Sequence, residues 1–346
     1  MRVREWDPKT APTDEIESLV ATLNEVLAAD LPDDPPWQPD AMTPYLTETM
    51  QGERRICWIT EDSAGGPGPA PIPGRTIGHA NLLIMGDIGV VEVMVHPAAR
   101  HQGVGRALVG CLARRAYSEG LSSLGVEAVG GTPAVGFWES LGFRRAYVEM
   151  RNILDLSRVD WPRVEAMARS VPAGYRVEYH PGGLPPALLE PYAAAKAVRR
   201  EADGGEVELR PSSYDAKRLA ESLDTLDRRG MRPYLVLAVH EQSAAVAALT
   251  EVVTPAQHPT RADQYDTIVV PAHQGLGLER AIKARMLLEL REAAPALTEV
   301  QTWNALENDP IGGVNQELGY RPDRQWLEYE VDVLDLIDRL GPASTT

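Results

Sequence analysis

Residues 89–109 read GVVEVMVHPAARHQGVGRALV, and two kinds of chemistry are packed into them. An apolar run ends in Gly103-Val104-Gly105, and a helix-forming stretch follows. Glycines at that junction let consecutive backbone N–H groups converge on one point, and a helix N-terminus adds positive potential there. The ligand such an arrangement takes is an anion, with a pyrophosphate the natural fit. Five residues before Pro97 stands Glu92, a carboxylate on the strand leading into the loop.

A second stretch, QYDTIVVPAHQGLGLERAI at residues 264–282, repeats both features, with Gly275 and Gly277 in the loop and Asp266 five residues before Pro271. The pentapeptides HQGVG (101–105) and HQGLG (273–277) lie 172 positions apart in a chain of 346 residues. Other landmarks recur in the same order. RVREW at 2–6 faces RVEYH at 176–180, WESLGFRR at 138–145 faces NQELGYRP at 315–322, and ILDL at 153–156 faces VLDL at 333–336. Ordered landmarks with slowly drifting offsets indicate a tandem duplication, in line with a length that exceeds one ordinary core. The expected boundaries are a first domain over 1–156, a linker over 157–173 whose short helix breaks at Val171-Pro172, and a second domain over 174–340.

Each half must supply elements that position its loop. In the first, Ile16, Leu19, Val20, Leu23, Val26 and Leu27 form one helical stripe. RRICWIT, TIGHANLLIM and GVVEVMV read as strands, and residues 63–74, rich in Gly and Pro, as an irregular connection. GRALVGCLARRAYSEG predicts a helix with Leu108, Cys111, Leu112 and Tyr117 inward, ended by Gly120. Strand, helix and strand follow, and the second half repeats the order, with its last helix expected to begin near Pro310. The expected fold class is α/β with a mixed sheet in each half.

Composition narrows the partners. The net charge of -16 argues against nucleic acid and an anionic membrane, and fits a cationic or amine substrate better. No apolar run approaches the roughly 20 residues of a membrane span, and the first ten residues lack a secretory signal, so a cytoplasmic location is expected. Cys57 and Cys111 have no metal-ligand or disulfide spacing, and no metal is expected. The third glycine and distal acid of a dinucleotide fingerprint are missing, as is the Lys-Ser or Lys-Thr of a Walker loop.

Val95, Pro97, Arg100, Gly103 and Gly105, followed by Leu108, together resemble the signature of the GNAT acetyltransferase superfamily, and the trailing FWESLGF at 137–143 resembles that family's later helix. The resemblance extends to both halves. It implies two tandem domains, each with a bent, splayed mixed sheet flanked by helices, and acetyl-CoA as co-substrate. The pyrophosphate would rest on the amides of Gln102, Gly103, Val104, Gly105, Arg106 and Ala107, and a bulged strand at Met94 and Val95 would pair with the pantetheine arm. Arg100 belongs to the motif. Arg106 has two readings, a phosphate contact or a solvated residue of the first helical turn.

The resemblance also bears on which half works. Matching Gly103 with Gly275 makes the second loop two residues shorter and leaves Arg100 without a counterpart, so the first half is expected to hold acetyl-CoA. Against this, Asn304 and Asn308 stand where many relatives place a cofactor-touching Asn, though Asn308 also reads as a helix cap. Glu92 and Asp266 are the candidate bases, with an exposed or paired carboxylate as the alternative for each. Trp138 and Asn315 occupy the place of the tyrosine that protonates the leaving thiolate in many relatives, and neither can do so. A thiol of pKa about 8.5 leaves tolerably as the thiolate. His79 and His96 read either as proton-transfer groups flanking the cleft or as packed residues. The expected activity is direct acetyl transfer from acetyl-CoA to a primary amine such as an amino sugar, an amino acid derivative or an antibiotic. The alternatives are a protein N-acetyltransferase and a non-catalytic acyl-CoA sensor; the oligomeric state is not legible.

Overall fold

The computed structural model describes residues 2–50, 52–62, 75–202, 215–256, 258–306 and 312–341. The irregular connection expected at 63–74, the helix start near Pro310 and Asn308 lie outside them. Strand β1 (Arg2–Trp6) leads into helices α1 (Thr13–Asp30) and α2 (Pro39–Thr47), then strands β2 (Glu53–Glu61), β3 (Thr76–Met85) and β4 (Ile88–Val95). Helix α3 (Val104–Glu119), β5 (Ser123–Val129), α4 (Pro133–Ser140) and β6 (Arg144–Asp155) follow, and then α5 (Trp161–Arg169). The later elements are β7 (Tyr175–Pro181), α6 (Pro186–Ala202), α7 (Ala216–Arg228), β8 (Met231–His240), β9 (Val246–Pro255) and β10 (Arg261–Val269). The chain ends with α8 (Leu278–Ala293), β11 (Glu299–Ala305), α9 (Gly312–Leu318), β12 (Arg321–Asp332) and α10 (Val333–Leu340).

These elements form two compact units. One comprises residues 1–147 with 326–346, the other residues 148–325. In the first unit β1, β2, β3 and β4 pair antiparallel in that order, β5 joins β4 in parallel, and β12 from Trp326 onward closes the sheet against β5. In the second unit β7, β8, β9 and β10 pair antiparallel, β11 joins β10 in parallel, and β6 from Val148 onward pairs with β11. Each half of the sequence therefore donates its last strand, and the helix behind it, to the unit built from the other half. Helix α10 packs on α3, and α5, inside the segment expected to be a linker, packs on α8. Asp160 caps α5 by accepting from the Arg163 N–H at 3.2 Å, and the helix ends at Arg169, ahead of Val171-Pro172.

Strand alternation explains the cores. In the first unit Cys57, Ile59 and Met94 share one face of the sheet with Asn81 and Glu92, and α1 covers it with Ile16, Leu19, Val20 and Leu23. Leu82 and Val91 lie on the opposite face, the side of α3, where Leu108 and Leu112 are buried. Tyr117, expected inward, is 59% exposed. Val109, Gly110, Ala113 and Ala116 are buried instead, so the buried stripe of α3 passes Tyr117 by and uses small residues where the helix lies close.

Candidate functional site

Strand β4 pairs with β5 only over Ile88–Val90, against Ser123–Gly125. Beyond Val90 the two strands part while β4 stays fully paired with β3, and a cavity of about 220 Å³ opens along Val93, Met94 and Val95. Its far wall is α4, through Ala134, Phe137 and Trp138, and its end is the N-terminus of α3 at Gly103, Gly105 and Arg106. The β3–β4 ladder carries no register shift from Ile88 to Val95, so the bulge expected at Met94 and Val95 is absent from it. Separation from β5 is what leaves the outer edge of β4 without a partner strand.

The loop is built for its sharp turns. Pro97–Ala99 forms a single 3-10 turn capped by His96, whose Nδ1 accepts from the Ala98 N–H at 3.1 Å. Next, His101 and Gly103 both adopt left-handed backbone, at φ 58° and 84°. Gly103 is the cap from which α3 starts, and the Ala107 N–H donates to its carbonyl at 3.0 Å. The amide of Ala107 is therefore spent within the helix, unlike its expected place in the anion cradle. A helix leaves its first-turn amides without intrahelical partners, which here means those of Val104, Gly105 and Arg106. Gly105 allows close packing: a Cβ there would meet the Phe137 ring at 3.1 Å, and the ring would have to give by a few tenths of an ångström.

Arg100 is engaged inside the protein. Its guanidinium forms a two-pronged pair with Asp30 of α1 at 2.9 and 2.7 Å, and its Nε donates to the Val95 carbonyl at 3.2 Å. It ties the loop to α1 and to the end of β4. Arg106 is exposed at the mouth of the cavity and donates to the Arg339 carbonyl at 3.3 Å. Gln102 is exposed and donates to the Ala98 carbonyl at 2.8 Å.

Glu92 sits beneath α2. Its two carboxylate oxygens accept from the Tyr45 hydroxyl at 2.5 Å and from Asn81 Nδ2 at 2.8 Å. Burial, and next the charge of Glu92, push the Tyr45 phenol far above its ordinary value, so it stays protonated and donates. The Arg55 guanidinium lies 4.7 Å from the Tyr45 ring centroid. His79 is 3% exposed on the same face, and burial drives its pKa down to about 4, so its imidazole is neutral. His96 points elsewhere, toward Glu25 at 2.6 Å and Arg75 at 2.9 Å. Trp138 is buried between Phe137 and Phe143, with ring centroids 5.0 and 4.8 Å away. Tyr45 and Asn81 escaped the sequence reading: α2 is short and contains Pro44, which hides its helical period, and Asn81 stands inside an apolar strand.

The second unit shows that the repeated pentapeptides are out of structural register. Pro271–His273 forms the matching 3-10 turn, Gly275 and Gly277 are left-handed at φ 74° and 77°, and α8 starts from Gly277. Six residues separate Pro97 from Gly103 and six separate Pro271 from Gly277, so the loops have equal length. Gly277 is the counterpart of Gly103, Gly275 that of His101, and Gln274 that of Arg100. Gln274 even repeats a contact, with Nε2 3.4 Å from the Val269 carbonyl. The missing two residues and the match of Gly103 with Gly275 are thus corrected: backbone conformation, rather than the letters, sets the register. One further consequence is chemical. The counterpart of Gly105 is Glu279, a carboxylate in the first turn of α8.

The remaining expected residues lie in this unit. Asp266 stands in a one-residue bulge of β10, between Gln264 and Thr267, with its Oδ2 3.0 Å from Lys196 Nζ. Asn304 lies next to the end of β11, and its Oδ1 accepts from Asn315 at 3.0 Å and Asn152 at 3.3 Å, tying β11 to α9 and β6. Strand β10 pairs with β11 only over Arg261–Gln264, so this sheet splays as well. Among the described residues there is no cluster of metal-ligating side chains, and no helix is long and apolar enough to cross a membrane.

Each sheet parts between its fourth and fifth strands, with a glycine-capped helix at the opening, so one architecture occurs twice in tandem. Residues 23–143 match the model of the GNAT acetyltransferase family. The whole chain takes the tandem GNAT fold. A tandem GNAT protein from the clavulanic acid biosynthesis pathway superposes with a TM-score of 0.79 at 22% identity, covering 99% of both chains. A GCN5-related N-acetyltransferase from Sphaerobacter thermophilus superposes with a TM-score of 0.66 at 15% identity, over 96% of this chain and 95% of that one. A mycothiol acetyltransferase of Frankia casuarinae is 31% identical over 234 residues, which is 64% of this chain and 62% of that relative's length.

Proposed function

We propose that the first unit binds acetyl-CoA and transfers its acetyl group to a primary amine of a small molecule. The observation that carries this is the parting of β4 from β5 after Val90, beside a cavity that ends on the first turn of α3. Val93–Val95 offer strand edge to an amide-bearing arm, and the free amides of Val104, Gly105 and Arg106 suit a pyrophosphate. Gly105 keeps the space beside Phe137 free of side chain. The mycothiol acetyltransferase relative supports a small-molecule acceptor.

Glu92 is the base. Fixed by Tyr45 and Asn81, it accepts the ammonium proton, and the freed nitrogen attacks the thioester carbon. The C–N bond forms, the C–S bond breaks, and the sulfur leaves with the electron pair as a thiolate, in keeping with the absence of an acid at Trp138. The second unit fits acetyl-CoA less well, because the carboxylate of Glu279 stands where the first unit has Gly105 and repels a pyrophosphate at the helix end. Titration calorimetry of acetyl-CoA against wild type, Gly103→Glu and Gly277→Glu tests the assignment. Both glycines are left-handed, so both substitutions strain the backbone alike. Loss of binding in Gly103→Glu alone is expected; loss in Gly277→Glu alone transfers the site to the second unit. Thiol release with an amine panel separates the enzyme from an acyl-CoA sensor, and acetylated peptides from a host proteome would favour a protein acceptor.

A further inference from the structure

The central strands of the two units can be matched residue by residue. Val95 pairs with Gly78 and Val269 with Ala248, so Asn81 and Glu251, each three residues further on, hold the same place. Glu92 corresponds to Asp266. Tyr45 donates to Glu92 from α2, while in the second unit Tyr192 donates to Glu251 at 3.0 Å from α6, the counterpart of α1 in element order, so the two phenols reach the matched strand positions from different helices. The first unit thus has one carboxylate and one amide, and the second has two carboxylates. Between those two stands the ammonium of Lys196, one helical turn beyond Tyr192, 2.8 Å from Glu251 and 3.0 Å from Asp266. It is 5.4 Å from the Tyr192 ring centroid, and Lys196 and Glu251 are 8% and 5% exposed.

One buried carboxylate, a second partly buried one and an aromatic face around one ammonium make the chemistry of a primary-ammonium site. We propose that the second unit keeps an amine-binding site at the position where the first unit takes its acceptor, and that Lys196 occupies this site in cis. The equation of the two positions rests on the reading of Glu92 given above; the occupied site itself rests on the contacts of Lys196. Burial pulls the lysine's affinity for its proton down, but Glu251, Tyr192 and Asp266 outweigh that and hold it well above its ordinary value. The amine therefore stays a cation, bound like an acceptor and unable to attack, and the second unit takes no acceptor of its own.

The test vacates the site. Lys196→Ala removes three methylenes and the ammonium, which n-propylammonium replaces. Thermal unfolding of the whole chain, without acetyl-CoA, is followed with increasing n-propylammonium chloride, and with tetramethylammonium chloride at equal ionic strength. The expected result is a melting temperature for Lys196→Ala that n-propylammonium raises by on the order of 3 °C or more, with no such rise for wild type and none from tetramethylammonium. Equal responses of variant and wild type, or a Lys196→Met variant as stable as wild type, would overturn the proposal. If Lys196→Ala does not fold alone, Glu251→Gln and Asp266→Asn are added to it, which removes the charges that need a cation. This triple variant is then expected to fold and ignore n-propylammonium, and one that still fails to fold overturns the proposal. Because no step uses acetyl-CoA, failure here leaves the assignment of the first unit untouched, and loss of transferase activity there leaves this result standing.

Discussion

His101 and Gly275 hold the same left-handed turn in two loops of equal length, at φ 58° and 74°, and only one of them is glycine. A β-carbon in that conformation crowds the next carbonyl, at a cost of roughly 1 to 2 kcal/mol, while glycine gives back part of this through its freer unfolded chain. Gly275→His is therefore expected to lower the unfolding free energy by about 1 kcal/mol, and His101→Gly to change it by no more than about 0.5 kcal/mol in either direction. Urea unfolding of both variants measures the difference. A Gly275→His variant as stable as wild type would dissolve the equivalence.

That relationship also shows where the sequence was legible and where it was not. Strands such as TIGHANLLIM and the glycine-capped helix at Gly103 announce themselves through period and turn chemistry, and they form as expected. The pentapeptide misleads because identical letters lie 172 positions apart while identical backbone turns lie 174 apart. Side-chain period cannot say which sheet a strand will join, so the exchange of β6 and β12 between the units leaves no mark in the hydrophobic pattern. Tyr192 and Lys196 sit on a helix that contains Pro191, as Tyr45 sits beside Pro44, and proline in the window hides the helical spacing that sets Lys196 one turn beyond Tyr192.

Gly105 and Glu279 are the counterparts on which binding is expected to turn. Gly105→Glu places a carboxylate in the first turn of α3 and a Cβ against Phe137, which lies 3.1 Å away. Acetyl-CoA affinity in calorimetry should fall by at least about tenfold, since repulsion at a helix end and loss of space act together. Glu279→Gly should leave it unchanged, and a gain of a second acetyl-CoA equivalent in that variant would mean the charge alone had closed the second site.

His79 makes stability depend on pH. Burial lowers its pKa to about 4, against about 6.5 in the unfolded chain, so between those values the unfolded state binds a proton that the folded state refuses. The contribution is fully present above pH 6.5 and is lost as the pH falls toward 4, amounting to about 3 kcal/mol at most. Denaturant unfolding across that range should show the decline, and His79→Phe, which keeps an aromatic ring beside Trp6, should flatten it. A profile unchanged by the substitution would remove His79 as the cause.

Tyr45 and Glu92 separate positioning from proton transfer. Glu92→Gln keeps the shape and the contact with Asn81 but cannot accept a proton, so kcat should drop by about 10² or more with acetyl-CoA affinity unchanged. Tyr45→Phe removes one of the two donors that fix the carboxylate while leaving the base in place, and the expected loss in kcat is nearer tenfold. Since neither residue lines the cavity along Val93–Val95, the KM for acetyl-CoA should hold in both variants, and the change should fall on kcat and on the KM for the amine. The double variant should be no slower than Glu92→Gln, because Tyr45 acts only through the carboxylate it holds. Additive losses would instead give Tyr45 a contact of its own with the acceptor, and full activity in Glu92→Gln would move the base elsewhere.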